Sequence, residues 1–333
     1  NTTLRFNTTG SNNTAIGISA LQANTTASNN TAVGFQALYD NTTGAQNVAI
    51  GMYGLANNTT ASENFAGGYN ALGANTTGAG NVGIGHRALQ SNTTASSNVA
   101  MGFEALKANT TGTQNVAVGA NALDASTTAS GNTAVGYDSG SAITTGVYNT
   151  CIGVDAGKSI TTADNNTMIG RFSGVNTTGA DNTFIGKNTG YLVTSGAKNT
   201  IIGQFNGNQD GLDIRTSSNN IVLSDGDGNA RIRVDGSGNT TFLNAYSGTV
   251  ANGAFFYFGS AGSINVGTAV TSARNVAGFL NPNGEVGTIT TNGSSTAYNT
   301  SSDYRLKENV VDMTGATQRL KQLNPVRFNF IAD

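Results

Sequence analysis

Residues 30–34 read Asn-Thr-Ala-Val-Gly, and residues 47–51 repeat the pattern as Asn-Val-Ala-Ile-Gly. The last residue of this unit, called the coil glycine below, recurs at a step of 17 residues, with a single step of 16 near the end. The coil glycines are Gly17, Gly34, Gly51, Gly68, Gly85, Gly102, Gly119, Gly136, Gly153, Gly170, Gly186 and Gly203. A period this regular predicts a repeat architecture, in which each repeat packs on its neighbours.

The repeat unit has the length and composition of one coil of a β-solenoid. Runs of about five residues rich in Thr, Val and Ile favour short strands, whereas helical repeats are longer, about 33 residues or more. Stacked strands are about 4.8 Å apart, so the twelve coils predict a rod about 60 Å long. The sequence therefore predicts an all-β fold, with a β-roll of 17-residue coils over residues 1–207.

Equivalent positions of successive coils stack into ladders, numbered here from the coil glycine. Position −1 is an almost unbroken apolar row from Ile16 to Ile202, and we expect it to form the solenoid core. Position +4 is leucine from Leu21 to Leu123 and glycine from Gly140 onwards, while position −2 changes from small residues to Cys151 and larger ones. Because close packing conserves volume, this exchange predicts that the two ladders touch and that two coil types meet near residue 140.

The repeated Asn and Thr residues allow three interpretations. Asn-Thr-Thr is a sequon for N-glycosylation and could form a glycan array. Asparagine also suits turns, where it tolerates left-handed backbone, and its side chains can hydrogen-bond along a ladder. Thr ladders on a flat face could order ice-like water, although the Thr-Thr pairs lack the alternate spacing that places two hydroxyls on one face. We favour the turn and ladder interpretation.

Positions −1 and −2 of each strand should face opposite sides, yet both are apolar. Position +1 is also largely apolar, with Phe35, Met52, Tyr69, Phe103 and Tyr137. Two dry faces predict an inner core and an interface between chains, and hence a symmetric homo-oligomer, most simply a homotrimer. The Asn-x-Ala-Ile/Val-Gly repeats resemble the head repeats of trimeric autotransporter adhesins, and this resemblance implies a left-handed β-roll packed as a trimer over roughly residues 7–207.

Composition excludes several classes of protein. The 333 residues carry 16 basic and 18 acidic side chains, which is too few and too balanced for a nucleic-acid partner. One cysteine, Cys151, and one histidine, His86, predict no disulfide framework, no metal site and no cofactor. No apolar run is long enough to insert into a membrane. The chain starts at Asn1 without Met or a signal peptide, so we expect a fragment or a processed form.

Residues 208–245 predict a transition to a β-hairpin neck. Two alternating strands, 220–224 and 230–235, flank Asp225-Gly-Asp-Gly-Asn, which is hairpin turn chemistry. The turn also resembles half of a calcium loop, but it lacks the bidentate Glu. Residues 246–300 predict a small β-rich knob. Its aromatic run, Phe255, Phe256, Tyr257 and Phe258, either packs the knob or contacts a receptor.

Residues 301–333 carry two further motifs. Ser-Asp-x-Arg-x-Lys-x-Asn at 302–309 and Leu-Asn-Pro-Val-Arg-Phe at 323–328 resemble the start of the intramolecular chaperone domain of phage endosialidases and tailspikes. The resemblance implies a domain that trimerises, assists folding of the upstream β-trimer and then cuts itself off through a Ser–Lys pair, Ser302 and Lys307. A desolvated Lys can deprotonate a Ser nucleophile. The domain is expected to be truncated here.

These features together predict a virion protein, an extracellular phage tail fibre or a fibre of a related contractile particle. Its partners would be itself as a homotrimer, other tail or baseplate proteins, and a host-surface glycan or protein. The alternatives are a cellular trimeric surface adhesin, a tailspike that cuts polysaccharide, and an ice-binding solenoid. Glycoside hydrolysis needs two carboxylates at one cleft, and the acidic residues are scattered singly along the sequence. We therefore expect no enzyme in the fibre body.

Overall fold

The computed structural model describes residues 2–243, 254–258, 264–268, 274–281, 284–292, 294–300 and 317. The chain divides into two compact units, residues 1–269 and 270–333. The regular elements within the described ranges are 22 strands. The prediction of an all-β chain is therefore confirmed for the part of the chain that these ranges cover.

Twelve three-residue strands form one parallel stack, one strand from each coil. Each residue pairs with the residue 17 positions later, as in Thr14↔Thr31, except at the single 16-residue step, Thr167↔Thr183. The strands are β1 (Thr14–Ile16), β2 (Thr31–Val33), β3 (Val48–Ile50), β4 (Phe65–Gly67), β5 (Val82–Ile84), β6 (Val99–Met101), β7 (Val116–Val118), β8 (Thr133–Val135), β9 (Thr150–Ile152), β10 (Thr167–Ile169), β11 (Thr183–Ile185) and β12 (Thr200–Ile202). The predicted β-solenoid of twelve 17-residue coils is confirmed.

The coil glycine follows each strand because no other residue fits there. Gly85, for example, has φ +136°, and a Cβ on it would collide with the carbonyl oxygen of Gly102 in the next coil. Position +4 also turns sharply, since Leu72 has φ 53°, in the left-handed region that disfavours side chains. The later coils place glycine at this position, with φ 58° at Gly140. Each coil thus follows the same backbone path, with residues of left-handed φ at the same positions.

The core of the roll lies on the opposite side of the strand from the one predicted. Position −2, such as Ala49, is fully buried, together with Ala and Leu of positions +3 and +4. Position −1 faces outward, with Ile16 61% exposed and Ile50 47% exposed. The prediction that the −1 ladder forms the core of the single chain was therefore wrong. Alternation along a strand allows only one of two adjacent apolar residues inside, and here it is the residue at position −2. That residue is Ala or Gly in the first eight coils, and Cys151, Met168, Phe184 and Ile201 in the last four, where Gly at position +4 leaves room for them.

The predicted volume exchange between positions +4 and −2 is confirmed. A Cβ on Gly157 would lie 2.5 Å from Sγ of Cys151, and a Cβ on Gly83 would lie 3.2 Å from Cγ of Leu72. Position +7, which is buried with them, changes over the same region from Asn109 through Ser126 to Ile143. Two coil types therefore meet near residue 140, one built on Leu and Asn and the other on Gly and Ile.

Two buried asparagine ladders hold the coils together. At position +7, Nδ2 of Asn58 donates to Oδ1 of Asn41 at 2.8 Å and to the carbonyl of Ala61 at 2.9 Å. At position −4, the backbone N–H of Asn47 donates to Oδ1 of Asn30 at 2.9 Å. These ladder asparagines do not occupy the left-handed corners. The predicted hydrogen bonding along the ladder is confirmed, and the buried amides contradict a glycan array on the folded chain.

The stack continues by one more strand after Gly203. β15 (Ile221–Ser224) pairs in parallel with β12 at a step of 21 residues, Thr200↔Ile221. The longer step holds a small antiparallel hairpin of β13 (Asn208–Gln209) and β14 (Leu212–Asp213). Asn220 extends the buried ladder, because its N–H donates to Oδ1 of Asn199 at 2.9 Å.

The sheet then becomes antiparallel. β15 pairs in antiparallel register with β16 (Ala230–Val234) across the turn at residues 225–229. The turn is closed by Asp225, whose Oδ1 accepts the N–H of Asn229 at 2.9 Å and whose Oδ2 pairs with Arg231. The remaining strands of this sheet are β17 (Thr240–Phe242), β18 (Ala254–Phe258) and β19 (Ile264–Thr268). The second unit contains an antiparallel sheet of β20 (Arg274–Asn281), β21 (Gly284–Asn292) and β22 (Ser295–Thr300).

Candidate functional site

The strand stack presents one outward face, called the outward strand face. It is made of position −1, which is almost entirely apolar, and position −3, which holds Thr or an apolar residue. Its exposed members include Ile152 at 37% and Ile202 at 44%. Where coil 4 has Gly67 at position −1, the ring of Phe65 covers the gap, 3.3 Å from the Cβ site of Gly67. Soluble monomers rarely expose contiguous apolar patches larger than a few hundred Å². The outward strand face extends over twelve coils.

A row of stacked rings lies beside this face. The sequence identified the aromatic residues at position +1 but missed Tyr53, which occupies position +2 with φ 63°. Tyr53 lies between Phe35, at 5.5 Å, and Tyr69, at 6.1 Å, measured between ring centroids. His86 stacks on both Tyr69 and Phe103 at 5.2 Å. The signal available in the sequence was one aromatic or imidazole ring per coil at or next to position +1, from Phe35 to Phe103.

Stacking of the coils brings together acidic residues that are far apart in the sequence. Nζ of Lys158 lies 2.9 Å from Oδ2 of Asp138 and 2.7 Å from Oδ1 of Asp155, and these hydrogen bonds raise the pKa of Lys158. Burial, and then the charge of Asp138, raise the pKa of Asp124. The three carboxylates come from three successive coils. Lys158 neutralises two of the three carboxylates, so the group has the character of an ion-pair cluster across coils.

Two side chains that could take part in chemistry, Glu104 and Cys151, have structural roles instead. Glu104 accepts from Lys107 at 2.9 Å and from Arg87 at 3.2 Å, which lowers its pKa. The single cysteine, Cys151, is fully buried, and desolvation raises its pKa to about 12. A thiol with this pKa supplies almost no thiolate at neutral pH, so Cys151 acts as a packing residue.

The structure places the predicted receptor contacts only in part. Phe255, Phe256, Tyr257 and Phe258 lie on β18, which pairs antiparallel with β19 in register Phe256↔Val266. Ser302 and Lys307 lie outside the described residues. The roles predicted for these six residues therefore stay predictions.

Comparison with known proteins gives one match. Residues 302–333 match the model of the family described as chaperone of endosialidase, over the segment that contains Ser302 and Lys307. No curated protein matches the chain, and no solved structure matches it. Within the described ranges, no helix has the length and apolar character needed to cross a membrane. Residues 302–333 thus resemble the chaperone of endosialidase, and this match, after a β-solenoid, points to a phage-associated protein.

Proposed function

We propose that this chain is a structural and adhesive fibre of a phage tail, or of a related contractile particle, which reaches and binds a host surface. The observation that carries the proposal is the chaperone-of-endosialidase match at residues 302–333. The upstream roll suits a stiff spacer, because its coils are tied by buried Asn ladders and a continuous parallel sheet. In this role the protein is extracellular, belongs to the virion and joins other tail or baseplate proteins.

The fibre in this proposal is a homotrimer of left-handed β-rolls that ends in a β-rich knob. The outward strand face supports it, because copies of this chain have the same 17-residue period and can cover the apolar ladders coil by coil. Repetition also creates a hazard, since chains can pair one coil out of register at little cost. A C-terminal chaperone that brings three chains together before the rolls pack removes this hazard.

The oligomeric state tests the trimer. Sedimentation of the product of the complete reading frame should give three times the mass that its fibre chain shows on a denaturing gel. Ile50→Glu places a charge on the outward strand face, where Ile50 is 47% exposed, and should weaken the trimer. Gln46→Glu, on an exposed corner of the same coil, is the matched control and should leave the mass unchanged. A monomeric wild type would refute the trimer.

We also propose that the chaperone segment cuts itself at this boundary. Oγ of Ser302 attacks the adjacent peptide carbonyl while Nζ of Lys307 takes the hydroxyl proton and then delivers it to the leaving amine, which leaves an ester that water hydrolyses. On a denaturing gel, the full-length wild type should give two fragments and Ser302→Ala a single uncut band. Ser301→Ala, one residue away, should cut like the wild type. An uncut wild type would refute the cleavage.

The receptor site of this fibre is proposed to include the knob strand Phe255–Phe258. Aromatic side chains offer large contact areas with little entropy loss, which suits binding of glycans and proteins. A glycan array probed with the full-length trimer and with Tyr257→Ala tests this placement. Equal signals from both proteins on every bound glycan would exclude Tyr257 from the receptor site.

A further inference from the structure

A groove opens on the surface of the roll in coils 3 to 5, outside the outward strand face. Its volume is about 450 Å³, and its lining includes Tyr53, Tyr69, Asn57, Asn70 and Gln90. This volume falls within the usual range of small-molecule sites. Two inter-coil steps give the groove a length of about 10 Å along the rod.

The groove exists because two consecutive coils have small residues at position +5. This position holds Tyr39 in coil 2 and Gln90 in coil 5, but Ala56 and Gly73 in the coils between them. Gly73 forms the floor of the groove. A Cβ on Gly73 would collide with Oδ1 of Asn70, so the glycine leaves room for the amide of Asn70. The groove is therefore local to these coils and does not recur along the roll as a consequence of the repeat.

Two tyrosine rings form one wall. The rings of Tyr53 and Tyr69 lie 6.1 Å apart at an interplanar angle of 79°. Tyr53 occupies a left-handed corner, φ 63°, which in the neighbouring coils holds the polar residues Gln36 and Asn70. Position +2 has this left-handed φ in coils 1 to 11, so the repeat sets the backbone and the tyrosine ring is what distinguishes coil 3 from its neighbours. The wall presents an apolar ring face together with phenolic hydroxyls.

Three side-chain amides that are available for hydrogen bonding line the groove beside this wall. Across the described part of the chain, the side chains of Asn57, Asn70 and Gln90 make no hydrogen bond with other residues. The next residue along, Asn58, makes three side-chain hydrogen bonds within the ladder. Each free amide offers two donor hydrogens and an acceptor oxygen to a ligand. None of the residues that line the groove carries a charge at neutral pH.

We infer that this groove binds a neutral glycan through one or two hexose units. The flat C–H face of a pyranose fits the tyrosine wall, and its ring hydroxyls match the donors and acceptors of Asn57, Asn70 and Gln90. The absence of cationic lining residues disfavours sialylated or phosphorylated sugars. This site rests on the proposed fibre function, because it gives the roll a second contact with a glycosylated surface, apart from the knob.

The test uses the full-length trimer and an array of neutral glycans, with affinities of the bound glycans measured by saturation-transfer NMR titration. Tyr69→Ala removes the wall, and Gly73→Gln fills the floor with the residue that coil 5 carries there. Each variant should weaken binding of at least one neutral glycan tenfold or more. Tyr137→Ala, an exposed position +1 ring in coil 8, is the matched control and should bind like the wild type.

Two results would overturn the groove: no neutral glycan bound by the wild type, or equal affinities in wild type, Tyr69→Ala and Gly73→Gln. Sedimentation and thermal unfolding of each variant report whether it is folded, and Gly73→Gln gives an independent answer if Tyr69→Ala is unfolded. The fibre proposal is tested separately, by the trimer mass and by self-cleavage, and neither measurement involves the groove.

Discussion

Replacing Asn58 by Ala removes one rung of the buried ladder at position +7. The amide of Asn58 donates to Oδ1 of Asn41 and to the carbonyl of Ala61, and its Oδ1 accepts from Asn75 at 3.0 Å. The Ala61 carbonyl keeps a second donor, Nδ2 of Asn47 at 2.8 Å. Nδ2 of Asn75 keeps its other acceptor, whereas Oδ1 of Asn41 loses the one donor that it has among the described residues.

The expected loss is about 3 kcal/mol of unfolding free energy, at about 1 kcal/mol for each lost hydrogen bond. Asn109→Ala provides an internal comparison. Asn109 donates to Asn92 and to the Gly112 carbonyl, but its Oδ1 has no partner because the next rung is Ser126. Its loss should therefore be smaller, by about 1 kcal/mol.

Guanidinium unfolding of the full chain, followed by far-UV circular dichroism, measures these losses. Asn57→Ala is the matched control for stability, since Asn57 is exposed and its side chain makes no hydrogen bond within the described ranges. It should change the unfolding free energy by less than about 0.5 kcal/mol. The ladder explanation is refuted if Asn58→Ala costs no more than Asn57→Ala, or if Asn109→Ala costs as much as Asn58→Ala.

Three further predictions concern the junction between the two coil types. Ser126→Asn supplies a donor to the unpaired Oδ1 of Asn109 and should stabilise the chain by about 1 kcal/mol in the same unfolding assay; an unchanged midpoint would contradict it. Gly157→Leu collides with Cys151 Sγ, 2.5 Å from the added Cβ, and should cost about 3 kcal/mol, of which Cys151→Ala restores at least half; no recovery in the double variant would argue against shared volume. Burial raises the pKa of Cys151 from 9.0 to about 12, so between these values the folded chain keeps a proton that the unfolded chain loses. Stability should therefore fall by about 1.4 kcal/mol per unit as pH rises above 9, and a wild-type slope equal to that of Cys151→Ala would contradict this.

The period of 17 residues was enough to predict the coil, the parallel strands and the stacking of equivalent positions. The exchange between Leu123 and Gly140 at position +4, matched by Ala134 and Cys151 at position −2, also predicted which ladders touch. The sequence did not show which apolar face of the strand lies inside. Both positions −1 and −2 are apolar, so hydrophobicity alone does not choose between them, and position −2 lies inside even where it holds Met168 or Phe184.

The candidate sites divide in the same way. The motifs that identify the chaperone segment are local in sequence, so Ser302 and Lys307 could be named without a structure, and the family match covers both. The groove depends on residues from three coils, where Gly73 matters only because Tyr53 and Gln90 are stacked on either side of it. The sequence pattern does not predict this groove, because the groove appears only when the three coils are stacked on one another.

The sequence by itself determined the repeat, the number of coils and the likeness of residues 302–333 to the chaperone of endosialidase, because periodicity and motifs depend only on the order of residues along the chain. The tertiary structure decided the direction in which each ladder faces, the gathering of Asp138 and Asp155 on Lys158, the break of the Asn ladder at Ser126 and the groove over Gly73. These features depend on corner geometry and on side-chain volume between coils. Both are fixed only when the backbone closes each turn and stacks it on the next.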